Sequence, residues 1–126
     1  MKFKEKGVDV RIIGDAKNSY EELNSQVKDE ISKGISGSFN QTLLNAIDQK
    51  IDFLKNDPEY GTHIAKNKIP KDYIKKYDIN NIWKINLPKA FRMLYSLKGE
   101  EIRIFALILD VLNHKDYEKK FEYRKS

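Results

Sequence analysis

A chain of 126 residues, 40% of them hydrophobic, holds material for one core and one domain over residues 1–126. It has no cysteine, which excludes disulfide frameworks, thiolate catalysis and cysteine-based metal sites. Its only histidines, His63 and His114, are too few for a His-rich centre. The net charge of +5 is unevenly spread: residues 1–61 carry 9 Lys/Arg against 11 Asp/Glu, a balance of −2, and residues 62–126 carry 15 against 8, a balance of +7.

A basic field confined to the C-terminal half favours a polyanion or an acidic protein as partner. No apolar run reaches the length of a membrane span, and the start Met-Lys-Phe-Lys-Glu-Lys lacks the apolar core of a signal peptide. The expectation is a cytoplasmic protein without a membrane partner, a metal or a cofactor.

In chain order, Val8–Ile13 reads as a first strand with Val8, Val10 and Ile12 on one face, closed by Gly14-Asp15. Ser19-Tyr20-Glu21-Glu22 fits a capping box, and Tyr20, Leu23, Val27 and Ile31 follow at helical spacing up to a stop at Gly34. Ser38 offers a second cap. Phe39, Leu43, Leu44, Ile47, Ile51 and Leu54 then form the stripe of a longer helix, which Asn56-Asp57-Pro58 breaks. The two helices should pack as a hairpin on one face of a sheet.

Residues 57–81 are the least regular part. They cluster Lys66, Lys68, Lys71, Lys75 and Lys76 with Tyr73 and Tyr77. Such a mixture can grip a phosphate backbone and stack on bases. A short helix after Pro70 that packs Tyr73, Ile74 and Tyr77 inward is the favoured reading for the tyrosines. His63 reads as structural.

Three strands follow: Ile82–Leu87, Phe91–Leu97 and Ile102–Val111, with turns at 87–90 and 97–100. The last is apolar on both faces apart from Arg103 and Asp110, as in a strand covered on both sides. A short helix with Tyr117, Phe121 and Arg124 on one face closes the chain. The fold class is α+β, in the order β-α-α-β-β-β plus a C-terminal helix, with a small, mainly antiparallel sheet.

The chain shows no paired carboxylates, phosphate loop or Ser/His/Asp pattern. It offers a basic and tyrosine-bearing set, Lys84, Arg92, His114 and Tyr117, with Arg103 and Lys115 nearby in sequence. RNA can be cleaved by its own 2′-hydroxyl if a base takes the proton, a cation meets the phosphate, and a donor protonates the leaving oxygen. The planar fork of Arg92 suits the phosphate. Lys84 or Lys115 could move a proton, His114 supplies an imidazole for acid or base work, and Tyr117 could stack on a base.

The element order and four short motifs together resemble the RelE/ParE superfamily of type II toxins over about Val8 to Phe121. Trp83-Lys84-Ile85 looks like the family's aromatic-basic-apolar strand. Phe91-Arg92-Met93-Leu94-Tyr95 is similar to its aromatic-Arg-apolar-apolar-Tyr strand. His114-Lys115-Asp116-Tyr117 is similar to its C-terminal signature, and Asn56-Asp57-Pro58-Glu59-Tyr60-Gly61 to its Asn-Pro…Gly turn.

The resemblance implies a RelE-like fold and a metal-independent endoribonuclease that cuts mRNA on the ribosome. It also implies a cognate antitoxin and a toxin–antitoxin hetero-oligomer, and the +7 balance of residues 62–126 leads to the expectation that the antitoxin binds there as an added helix or strand. Lys84, Arg92, His114 and Tyr117 take the catalytic positions; Lys66, Lys68, Lys71, Arg103 and Lys115 are RNA-binding candidates. Asn86 stands where the nuclease branch often has a second basic residue, and the chain is longer than usual for the family. The alternatives are a ParE-like inhibitor of DNA gyrase and a catalytically degenerate member.

Overall fold

The computed structural model describes residues 7–100 and 102–122. Strand β1 (Gly7–Ile12) leads through Gly14 into helix α1 (Gly14–Ser32), and α2 (Phe39–Asn56) returns. Then come β2 (Thr62–His63), a 3-10 turn at Lys66–Lys68, α3 (Lys71–Tyr77), β3 (Trp83–Asn86), a 3-10 turn at Pro88–Ala90, β4 (Arg92–Gly99), β5 (Arg103–Leu112) and α4 (His114–Glu122). The strands form one mixed sheet in the order β1-β5-β4-β3-β2, parallel only between β1 and β5. The α+β class and the succession of a first strand, two helices, a C-terminal meander and a closing helix follow the pattern read from the sequence, which did not place β1 beside β5. The short edge strand β2 was not foreseen. Among the described residues no helix is long and apolar enough to cross a membrane.

Helix α1 begins at Gly14, so Ser19 lies inside the helix and does not cap it. Gly14 has φ +56°, which turns the chain straight from strand to helix, and a Cβ there would stand 2.2 Å from the Tyr77 hydroxyl. Glycine alone meets both conditions without strain. At the other end Gly34, at φ +76°, closes a Schellman motif: its N–H donates to Ile31 O (3.0 Å) and Ile35 N–H to Glu30 O (2.9 Å). Ser38 caps α2 as expected, its hydroxyl accepting from the Gln41 N–H at 3.2 Å.

Both faces of the sheet are covered. Leu23, Val27, Leu43, Leu44, Ile47 and Leu54 of the helical hairpin pack with Ile85, Met93, Tyr95, Ala106 and Ile108. The opposite face buries Ile82, Leu94 and Leu109 beneath Ile69, Tyr73, Tyr117 and Phe121, so α3 and α4 cover it. Tyr73 is buried and Tyr77 half-buried, but Ile74 is 42% exposed, against the expectation that it packs inward. One turn of a seven-residue helix cannot aim Tyr73 and its neighbour Ile74 at the same surface. Tyr117 and Phe121 do share a face, with ring centroids 4.6 Å apart, while Arg124 lies outside the described residues.

Asp110 is the charged residue within this second core, 7% exposed. The Tyr73 hydroxyl donates to its carboxylate at 2.8 Å. Burial nevertheless pushes the carboxyl above its ordinary range, the Tyr73 bond and the positive charge of Lys120 opposing and Asp15 adding to the rise. The native state therefore holds this proton more tightly than the unfolded chain does. Its contribution is full below the ordinary carboxylate range and is lost as pH rises through the elevated native value. The stability of Asp110→Asn relative to wild type should thus increase as pH rises through that window. Urea unfolding of both proteins at acid and neutral pH checks this; a difference that stays flat or falls with pH would contradict it.

Candidate functional site

The register of the β3–β4 pair sets the site. Lys84 lies opposite Leu94 and Asn86 opposite Arg92, so Lys84 and Arg92 are diagonal neighbours on the face that α4 covers. Helix α4 starts directly after β5, where the Asn113 side chain accepts the Asp116 N–H at 2.8 Å and caps it. The first turn of α4 then brings Tyr117 over the sheet. The Lys84 ammonium stands 5.6 Å and the Arg92 guanidinium carbon 5.4 Å from the Tyr117 ring centroid. Both separations lie within cation–π range. The ring is held from behind by Phe121.

Lys84, Arg92 and Tyr117 are all half-buried. Arg92 donates from Nη1 to the Phe91 carbonyl at 3.1 Å. Its Nε is buried and has no hydrogen-bond partner among the described residues. The guanidinium is anchored at one corner, and since Nε is closed off, a ligand such as a phosphate oxygen would meet its terminal nitrogens.

His114 opens α4 and is exposed. Its Nε2 lies 3.2 Å from Glu118 Oε1, one helical turn on, and this pairing is its contact in the structure. Lys115 is exposed on the same turn. Lys66 and Lys68 are exposed on the 3-10 turn and Lys71 at the start of α3. Arg103 is at the opposite end of β5 from Leu112, which is the register partner of Arg92. At about 3.3 Å per residue, the 10-residue strand separates the two arginines by roughly 30 Å. There Arg103 grips Asp9, Nε to Oδ2 at 2.9 Å, and this bond holds the Asp9 carboxyl below its ordinary range. So the structure gathers Lys84, Arg92 and Tyr117, sets His114 on the same helix as Tyr117, and leaves Arg103 apart from them.

Sequence reasoning passed over the other side of β3. A cavity of about 210 Å³ opens there, lined by Lys50, Tyr60, Gly61, Thr62, Lys84 and Asn86. Fully buried Tyr95 holds the loop that forms the cavity wall: the hydroxyl donates to Pro58 O at 2.8 Å and accepts the Gly61 N–H at 2.9 Å. Gly61 packs so closely that a Cβ would stand 2.7 Å from the Lys84 carbonyl. His63 is exposed and meets the Trp83 ring edge-on at 4.9 Å. The i,i+3 spacing of Lys50 and Phe53 was a visible signal on the helix, but the approach of Tyr60 to both was not.

Among the described residues no group of three or more His, Asp or Glu could hold a metal ion. The groups gathered at the sheet face are two cations and a phenol, with the His114 imidazole exposed at the start of α4. No protein-family model, curated protein or solved structure matches this chain.

Proposed function

We propose that the protein is the toxin of a type II toxin–antitoxin system that cleaves mRNA on the ribosome, with the RNA's own 2′-hydroxyl as nucleophile. The observation that carries this reading is the convergence of Lys84 and Arg92 on the Tyr117 ring.

In this reading Arg92 binds the non-bridging oxygens of the scissile phosphate, and Lys84 adds positive charge where the transition state gains negative charge. The 2′-oxygen bonds to phosphorus as the bond to the 5′-oxygen breaks. One proton leaves the 2′-hydroxyl and one reaches the 5′-oxygen, so the products are a 2′,3′-cyclic phosphate and a 5′-hydroxyl. His114 or Lys115 serves the proton transfers from the start of α4, and Tyr117 stacks on a base next to the cleaved bond. The +7 balance of residues 62–126 suits both RNA and an acidic antitoxin segment laid over the same surface.

One observation favours a gyrase-inhibiting reading instead: Asn86, and no further cation, stands opposite Arg92. The test is primer extension on mRNA in a reconstituted translation system. Cleavage confined to translated message is the expected result. Intact mRNA together with inhibited DNA supercoiling would transfer the assignment to the gyrase-inhibiting branch.

A further inference from the structure

The cavity beside β3 adjoins an aromatic pair that the core does not use. Phe53 is 37% and Tyr60 43% exposed, with ring centroids 5.0 Å apart. The Lys50 ammonium stands 5.2 Å from the first ring and 5.6 Å from the second. β2 pairs only with Trp83 and Lys84, so the edge of β3 is open from Ile85 onward, and the cavity sits at that opening. Lys84 belongs to both places: its ammonium faces Tyr117, and the residue lines the cavity. Asn86 and Thr62 add amide and hydroxyl groups to the wall.

We propose that Phe53, Tyr60 and Lys50 form a stacking subsite for one base of single-stranded RNA whose phosphate lies at Lys84 and Arg92. This inference rests on the ribonuclease reading above and adds residues outside the site it uses. Two exposed rings capped by one ammonium leave aromatic surface that a base can cover, and a lysine that can swing to the adjoining phosphate. The cavity is smaller than the roughly 300–1,000 Å³ of ordinary small-molecule pockets, which suits one base entering from a strand edge. Lys84, which lines the cavity and faces Tyr117, joins the subsite to the cationic face.

The test uses fluorescence anisotropy of the full chain with a short 2′-O-methyl single-stranded RNA, which binds without being cleaved, and with polyglutamate as a control polyanion. Thermal unfolding verifies that every variant folds. Tyr60→Ala should weaken RNA binding by about tenfold or more, as loss of a stacked base does. Tyr60→Phe should bind like wild type and Tyr60→Leu like Tyr60→Ala, because the ring face and not apolar bulk is used. Lys50→Ala should lower the salt slope by about one ion. If Tyr60→Ala and Lys50→Ala bind RNA like wild type while Arg92→Ala does not, the subsite is overturned and the ribonuclease reading stands. Equal affinity for polyglutamate and RNA, both indifferent to Tyr60→Ala, overturns it too. An absence of RNA binding by wild type also overturns it, and the translation-dependent cleavage assay then decides the ribonuclease reading separately.

Discussion

Arg92→Ala should cut translation-dependent mRNA cleavage by about a hundredfold or more, the loss expected when a preorganised donor to a developing oxyanion is removed. The guanidinium is the best-placed group for that role. It is half-buried on β4, tied to the Phe91 carbonyl by one nitrogen, and faced by the Tyr117 ring. Arg92→Lys should recover only part of the activity, because an ammonium keeps the charge but lacks the fork that binds two oxygens. The fold should persist. The substitution removes a cation–π contact worth about 0.5–1 kcal/mol and also removes a buried Nε that has no partner among the described residues. Single-turnover cleavage of a defined message, with circular dichroism as the folding control, makes the measurement. Equal rates for wild type and Arg92→Ala would remove Arg92 from the reaction.

Tyr95→Phe should destabilise the protein by about 2–4 kcal/mol, because leaving a buried polar group without its partner costs about 1–3 kcal/mol and this hydroxyl serves two groups. Without it the buried Pro58 carbonyl loses its donor and the Gly61 N–H its acceptor. Burial holds the phenol above its ordinary range, so it remains a donor throughout the working pH range. For a chain of this length the melting temperature should fall on the order of 10 °C. A second readout is local. Gly61 packs on the Lys84 carbonyl, and Thr62 pairs with Lys84, so amide exchange at Thr62 and Lys84 should accelerate beyond the global change. A melt within a degree or two of wild type would show that the 58–61 loop is held by other contacts.

The elements of the fold were largely legible in the chain. Alternation marked β3 and β4, a run apolar on both faces marked β5, helical spacing marked the stripes of α1 and α2, and Ser38 and Gly34 marked a real cap and a real stop. Each of these signals acts within a few residues, through backbone geometry or through one face repeated along one element. The start of α1 was misplaced because Ser19-Tyr20-Glu21-Glu22 is a valid capping pattern that the chain does not need. Gly14 makes the turn earlier, and only contact with Tyr77, far along the chain, shows why glycine must stand there. The two-residue strand β2 carries no periodicity of its own and exists because Tyr95 pins the preceding loop beside β3.

The candidate site divides along the same line. Lys84 and Arg92 could be placed on one face by counting even positions on neighbouring strands, since side chains alternate with a period of two. Tyr117 could be set near the end of the last strand by its distance along the chain. That its ring meets both cations was decided by the docking of α4, through Asn113 at its start and Phe121 on its inner face. Sequence could not separate Arg103 from Arg92, because the two are close in the chain but at opposite ends of a ten-residue strand. Nor could it join Lys50 and Tyr60 to Lys84, which lie on different elements and meet only at the edge of β3. Local geometry is written in residue spacing and can be read from the chain. Which distant side chains share a surface depends on register and helix docking, which are set by the burial of the whole core.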